Sequence, residues 1–118
     1  MSEVRYRFTA RDLATVARNI GIASAPEPDG VLDGITRAVD HTQVQAAAGL
    51  LFTASLTARP FGADSIAFAV EATRTFLIAN GIRITRIVDP DRALALAETV
   101  RSGALEDADE IGKRLIAL

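Results

Sequence analysis

The 118-residue chain contains no cysteine. Disulfides, thiolate metal sites and cysteine nucleophiles are therefore excluded. A single histidine, His41, excludes imidazole clusters and leaves little for metal chemistry. Charge of one sign is also missing: 15 acids stand against 13 bases, a net charge of −2 with the signs interspersed. Such a balance carries no electrostatic footprint for nucleic acid or for an anionic membrane surface. No apolar run approaches the roughly 20 residues that a membrane-spanning helix needs. The polar opening MSEVRYR is unlike a secretory leader, so the cytoplasm is the expected location. Aromatic residues are scarce, at 5%. Their place is taken by alanine, whose small side chain lets helices approach closely.

What remains is a folding composition: 49% apolar, 24% charged and slightly positive in mean hydropathy. The length suits one domain over 1–118 and is too short for two. Thr9 and Asp12 form a T-x-x-D start, and Leu13, Val16, Ala17 and Ile20 follow at helical spacing until Gly21. The stretch IASAPEPDG holds two prolines and reads as a loop. Asp29 is the expected cap of a short helix to about Val39, burying Leu32, Ile35 and Val39. Thr42 is the expected cap of a helix to about Ala58, with Val44, Ala48, Leu51 and Leu56 inside. Arg59-Pro60-Phe61-Gly62 interrupts the pattern.

Asp64 is the expected cap of the longest helix, Ser65 to about Ala79. Ile66, Val70, Thr73 and Leu77 form one stripe there, and Phe68, Ala72 and Phe76 a second. A helix apolar on two sides belongs inside the fold. Asn80-Gly81 closes it. The alternating stretch 82–85 predicts a short extended segment. Asp89-Pro90 opens a helix to about Arg101. After Ser102-Gly103, a last helix spans Glu106 to Ala117, with Ile111, Leu115 and Ile116 apolar. The expectation is an all-α, compact single-domain bundle of about six helices with the 65–79 helix at its centre.

The segment from Arg59 to Gly81 resembles the core of the Doc (death-on-curing) branch of the Fic superfamily. That family carries H-[PI]-F-x-[DN]-[GA]-N-K-R-T, then an apolar helix ending F-L-x-x-N-G. Here the stretch is R-P-F-G-A-D-S-I-A-F, followed without a gap by AVEATR-T-F-L-I-A-N-G. Upstream, GVLDGITRA and QAAAGLLFTASLTA resemble the helices that precede the motif. Downstream, RALALAETVRSGALEDADEIGKRL resembles the closing helix pair. The resemblance implies a Fic/Doc-like fold and the setting of a bacterial toxin–antitoxin module. Active members use ATP and magnesium to modify a protein hydroxyl by phosphorylation or AMPylation.

The catalytic positions diverge. The family's histidine base corresponds to Arg59, and the residue that helps hold the metal to Ala63. Asp64 follows it, and the asparagine, lysine and arginine of the phosphate cradle correspond to Ser65, Ile66 and Ala67. Only Phe61, which buries the loop, is retained. Arginine cannot serve as a base near neutral pH, its pKa being about 12.5 or more. Losing a general base typically costs about 10²–10⁴-fold, before the phosphate clamps are considered.

Arg59 is either a retained cation facing the former phosphate pocket or a solvated loop arginine. Asp64 and Ser65 open a helix, an anion site in principle, but Asp64 would itself repel a phosphate. Arg59 and Ser65 are the two candidate ligand-binding residues, and both are expected to be dispensable for stability. His41, beside Asp40, could stand in as a base or could be an ordinary surface histidine. The acids at 89, 91, 106, 107, 109 and 110 lie at helix starts, where they favour the dipole, and match no calcium loop. No metal site is assigned. Glu71 and Arg74 are expected to pair along the central helix.

Two functions follow. The first is a catalytically degenerate Doc-like protein that acts by protein binding, a small antitoxin peptide being one such partner. It needs no cofactor, involves no nucleic acid or membrane, and is compatible with a homo-oligomer. The second is an ATP- and magnesium-dependent transferase with a rearranged site.

Overall fold

The computed structural model describes residues 2–23, 25–26, 30–84 and 87–118. Among these residues there are six α-helices: α1 (Ala10–Asn19), α2 (Val31–Ala38), α3 (Val44–Ala58), α4 (Ser65–Ala79), α5 (Pro90–Arg101) and α6 (Ala108–Ile116). A 3-10 turn, Gly62–Asp64, precedes α4. Among the described residues there is no strand, only an isolated antiparallel bridge between Glu3 and Gln43.

The helix ends follow local chemistry in most places. At α1 the Thr9 hydroxyl accepts the Asp12 N–H, and the Asp12 carboxylate accepts the Thr9 N–H at 2.8 Å, a complete capping box. Asp89 caps α5 through the Asp91 and Arg92 N–H groups, with Pro90 at the first helical position. Gly21, Gly81 and Gly103 close α1, α4 and α5 with positive φ.

Other ends differ from the sequence expectation. Thr42 does not cap α3; Gln43 takes that place without a side-chain bond, and the Ser2 carbonyl accepts the Val44 N–H at 2.9 Å. A neighbouring backbone thus serves the orphan donor that a side chain was expected to serve. Asp64 likewise makes no cap, because the 3-10 turn holds it at φ −83° and ψ 0°, a helical conformation in place of the extended one a cap adopts. The last helix starts at Ala108 with Asp107 as its cap, two residues later than expected. Ile20 lies beyond α1 and is 37% exposed. Val39 is half-buried, and residues 82–84 form no strand. Asp29 and Thr85 lie outside the described residues.

Helices α3 and α4 pack side by side and share the interior. α4 also meets α1, α5 and α6, while α3 meets α2, α5 and α6. Phe52 from α3 and Phe68 and Phe76 from α4 are fully buried, with Leu13, Ile35 and Ile111 closing in from α1, α2 and α6. Ile66 and Val70 flank this core half-buried. Alanines 47, 48, 69, 72 and 97 fill the narrow space between helices. Among the described residues no helix is long and apolar enough to cross a membrane.

Candidate functional site

The loop between α3 and α4 turns on two left-handed residues. Arg59 ends α3 at φ 47° and ψ 57°, the only non-glycine residue with positive φ among those described, and Gly62 follows at φ 56°. An L-residue in this region costs roughly 1–2 kcal/mol. Pro60 between them is fully buried. Phe61 is buried too, its ring edge-on to Phe68 with centroids 4.9 Å apart. Phe61 therefore anchors the loop to the core.

The loop spends its backbone donors on itself. The Phe61 N–H donates to the Ser65 Oγ at 3.0 Å and the Gly62 N–H to the Arg59 carbonyl at 3.3 Å. The Asp64 N–H donates to the Phe61 carbonyl at 3.1 Å, and the Ser65 N–H to the Gly62 carbonyl. A phosphate cradle works by presenting free backbone N–H groups to the anion. Four of those in this loop are already bound.

The side chains tell the same story. Ser65 is 2% exposed, with its hydroxyl directed at Phe61. This corrects the expectation that Ser65 is a surface residue: it closes the loop from inside. Arg59, Ala63, Asp64 and Ala67 are exposed, and Ile66 is half-buried. The Arg59 side chain makes no hydrogen bond or ion pair among the described residues.

His41 lies away from this loop in sequence and engagement. It is exposed, and its Nδ1 accepts the Gln43 N–H at 3.0 Å, which orders the turn before α3. Glu71 and Arg74 approach to 4.0 Å along α4, each side chain about one-third exposed. Among the described residues, no three His, Asp or Glu side chains gather closely enough to hold a metal ion.

A groove of about 370 Å³ borders the loop, formed by Arg11, Ala14 and Arg18 of α1, Ile22 and Phe61 among others. Arg18 donates to Thr15 Oγ1 at 3.2 Å, and the Arg11 side chain has no hydrogen bond or ion pair among the described residues. Helical periodicity marks Arg11 and Arg18 only as the polar face of α1. Nothing in the linear pattern places them over Phe61. Compared with family models, with curated proteins and with solved structures, the chain matches none.

Proposed function

We propose that the chain is a Fic/Doc-like protein without transferase activity, the toxin-type member of a bacterial toxin–antitoxin module, acting by binding another protein. One observation carries this reading. The 59–65 loop directs the N–H groups of residues 61, 62, 64 and 65 into its own turn and buries the Ser65 hydroxyl. It has neither a base at Arg59 nor a cradle for a triphosphate. The groove beside Phe61 supplies a binding surface of the opposite character: an apolar floor under two arginines, suited to an acidic, amphipathic peptide segment.

The test is thermal unfolding with and without ATP and magnesium. A ligand present at 100 times its dissociation constant stabilises by about 2.7 kcal/mol, which for a domain of this length is a shift of roughly 10 °C. The expected result is no shift, together with no transfer of label from ATP to host proteins. A concentration-dependent shift, or label transfer abolished by changing Arg59 or His41, overturns the reading.

A further inference from the structure

A cavity of about 180 Å³ opens between the N-terminal segment and helices α2, α3 and α4, sharing no lining residue with the 59–67 loop. Its inner wall is apolar. Leu51 and Phe76 are each 1% exposed, and Phe8 and Val39 are half-buried beside them. Phe8 stands edge-on to Phe76, centroids 5.4 Å apart at 89°. The mouth is cationic, with Arg7 and Arg37 both exposed at its rim and no carboxylate among its lining residues.

The two arginines are unequally engaged. Arg7 donates from Nη1 to the Val39 carbonyl at 3.3 Å and from Nη2 to the His41 carbonyl at 3.2 Å. These bonds hold the guanidinium at the rim and leave the rest of its N–H groups unspent, since a guanidinium carries five. The Arg37 side chain has no hydrogen bond or ion pair among the described residues. Two cations on one rim, with no acid among its lining residues, favour an anion at the mouth. The planar guanidinium fork matches a carboxylate in particular. An inorganic anion would satisfy the rim and leave the apolar wall wet; a hydrocarbon would do the reverse.

We propose that this cavity binds a small organic acid, a carboxylate carried on a compact apolar body. Size sets the body: an apolar cavity of about 150 Å³ accepts benzene, so the ligand is of benzoate dimensions, its ring against Phe8 and Phe76 and its carboxylate at Arg7 and Arg37.

The experiment titrates the full chain with benzoate, with benzyl alcohol and with inorganic phosphate, followed by amide chemical shifts at Phe8, Leu51 and Phe76. Benzoate is expected to saturate these shifts, benzyl alcohol to bind about tenfold more weakly, and phosphate to leave them unmoved. Arg37→Gln is expected to weaken benzoate about tenfold, the scale of one charge-assisted hydrogen bond, while leaving benzyl alcohol unchanged. Arg37 also sits in the last turn of α2, where a cation complements the carbonyl end of the helix. Stability is therefore measured on the same variant, and lowered stability with unaltered benzoate affinity overturns the proposal. So does benzyl alcohol binding as tightly as benzoate, phosphate shifting the same amides, or the absence of saturation by benzoate.

Discussion

Ser65 is buried and its hydroxyl accepts the Phe61 N–H, so Ser65→Ala would leave an amide without a partner inside the loop. The expected cost is about 1–3 kcal/mol, measured by chemical denaturation. Arg59→Gly should act in the other direction, relieving the left-handed conformation at the end of α3 and stabilising by about 1 kcal/mol. A stability ranking with Ser65→Ala above wild type would refute the loop geometry. Tyr6, the single tyrosine of the chain, offers a spectroscopic check elsewhere. Its hydroxyl donates to Asp12 Oδ1 at 3.2 Å, and that bond, with the carboxylate's charge, raises its pKa above the ordinary 10.0. Folding thus favours the protonated phenol. The contribution is present below the ordinary value and is lost as pH rises through the raised one. Ultraviolet titration should show the raised midpoint, and Asp12→Asn should bring it back toward the ordinary value.

At the scale of elements, the contact between α3 and α6 depends on two glycines. A Cβ on Gly49 would strike the backbone of Ala108, and a Cβ on Gly112 would strike the backbone of Gln45. The helices therefore meet backbone to backbone at these points, and Gln45 Nε2 ties the crossing by donating to the Asp109 carbonyl at 3.2 Å. Because backbone cannot yield as a flexible side chain can, Gly49→Ala and Gly112→Ala should each cost about 3 kcal/mol, at the upper end for overpacking. Gly34, inside α2, has nothing within 4 Å of an added Cβ and no positive φ. There Gly34→Ala should stabilise by about 0.5–1 kcal/mol through helix propensity alone. Melting temperatures of the three variants separate the cases. Equal effects would mean that α3 and α6 do not approach as described.

Across the whole molecule, Asn80 joins two parts that periodicity leaves unconnected, the N-terminal segment and the end of α4. It is 6% exposed and uses all of its hydrogen-bonding capacity. Oδ1 accepts the Arg5 and Tyr6 N–H groups, both at 2.8 Å, and Nδ2 donates to the Tyr6 carbonyl at 3.0 Å and the Phe76 carbonyl at 2.9 Å. A few residues earlier in the same segment, the Val4 N–H donates to the Thr42 carbonyl at 2.7 Å. The segment is thereby fastened to α4 and to the start of α3, and it carries Arg7 and Phe8 to the cavity. Asn80→Ala should cost about 2–3 kcal/mol. It should also speed amide exchange at Arg5 and Tyr6 ahead of the helices, an order that global unfolding alone would not produce.

Local chemistry by itself determined the helical class and most helix boundaries. Thr9 with Asp12, Asp89 with Pro90, and Gly21, Gly81 and Gly103 act within a few residues of themselves, so their effect is legible in the linear pattern. The burial of Phe68 and Phe76 was legible for the same reason, since a stripe repeating at the helical period must face something apolar. Tertiary structure decided what each face meets. Asn80 reads as a helix stop, yet its amide clamps a segment more than seventy residues away in sequence. Nothing in the linear pattern singles out Gly49, yet it seats the backbone of α6. Thr42 and Asp64 read as caps, but a distant carbonyl from Ser2 and a tighter turn before α4 supplied what those side chains were expected to supply. Periodicity fixes direction around one axis. Partners, and the cavity between Arg7, Arg37 and Phe76, exist only once several axes are packed together.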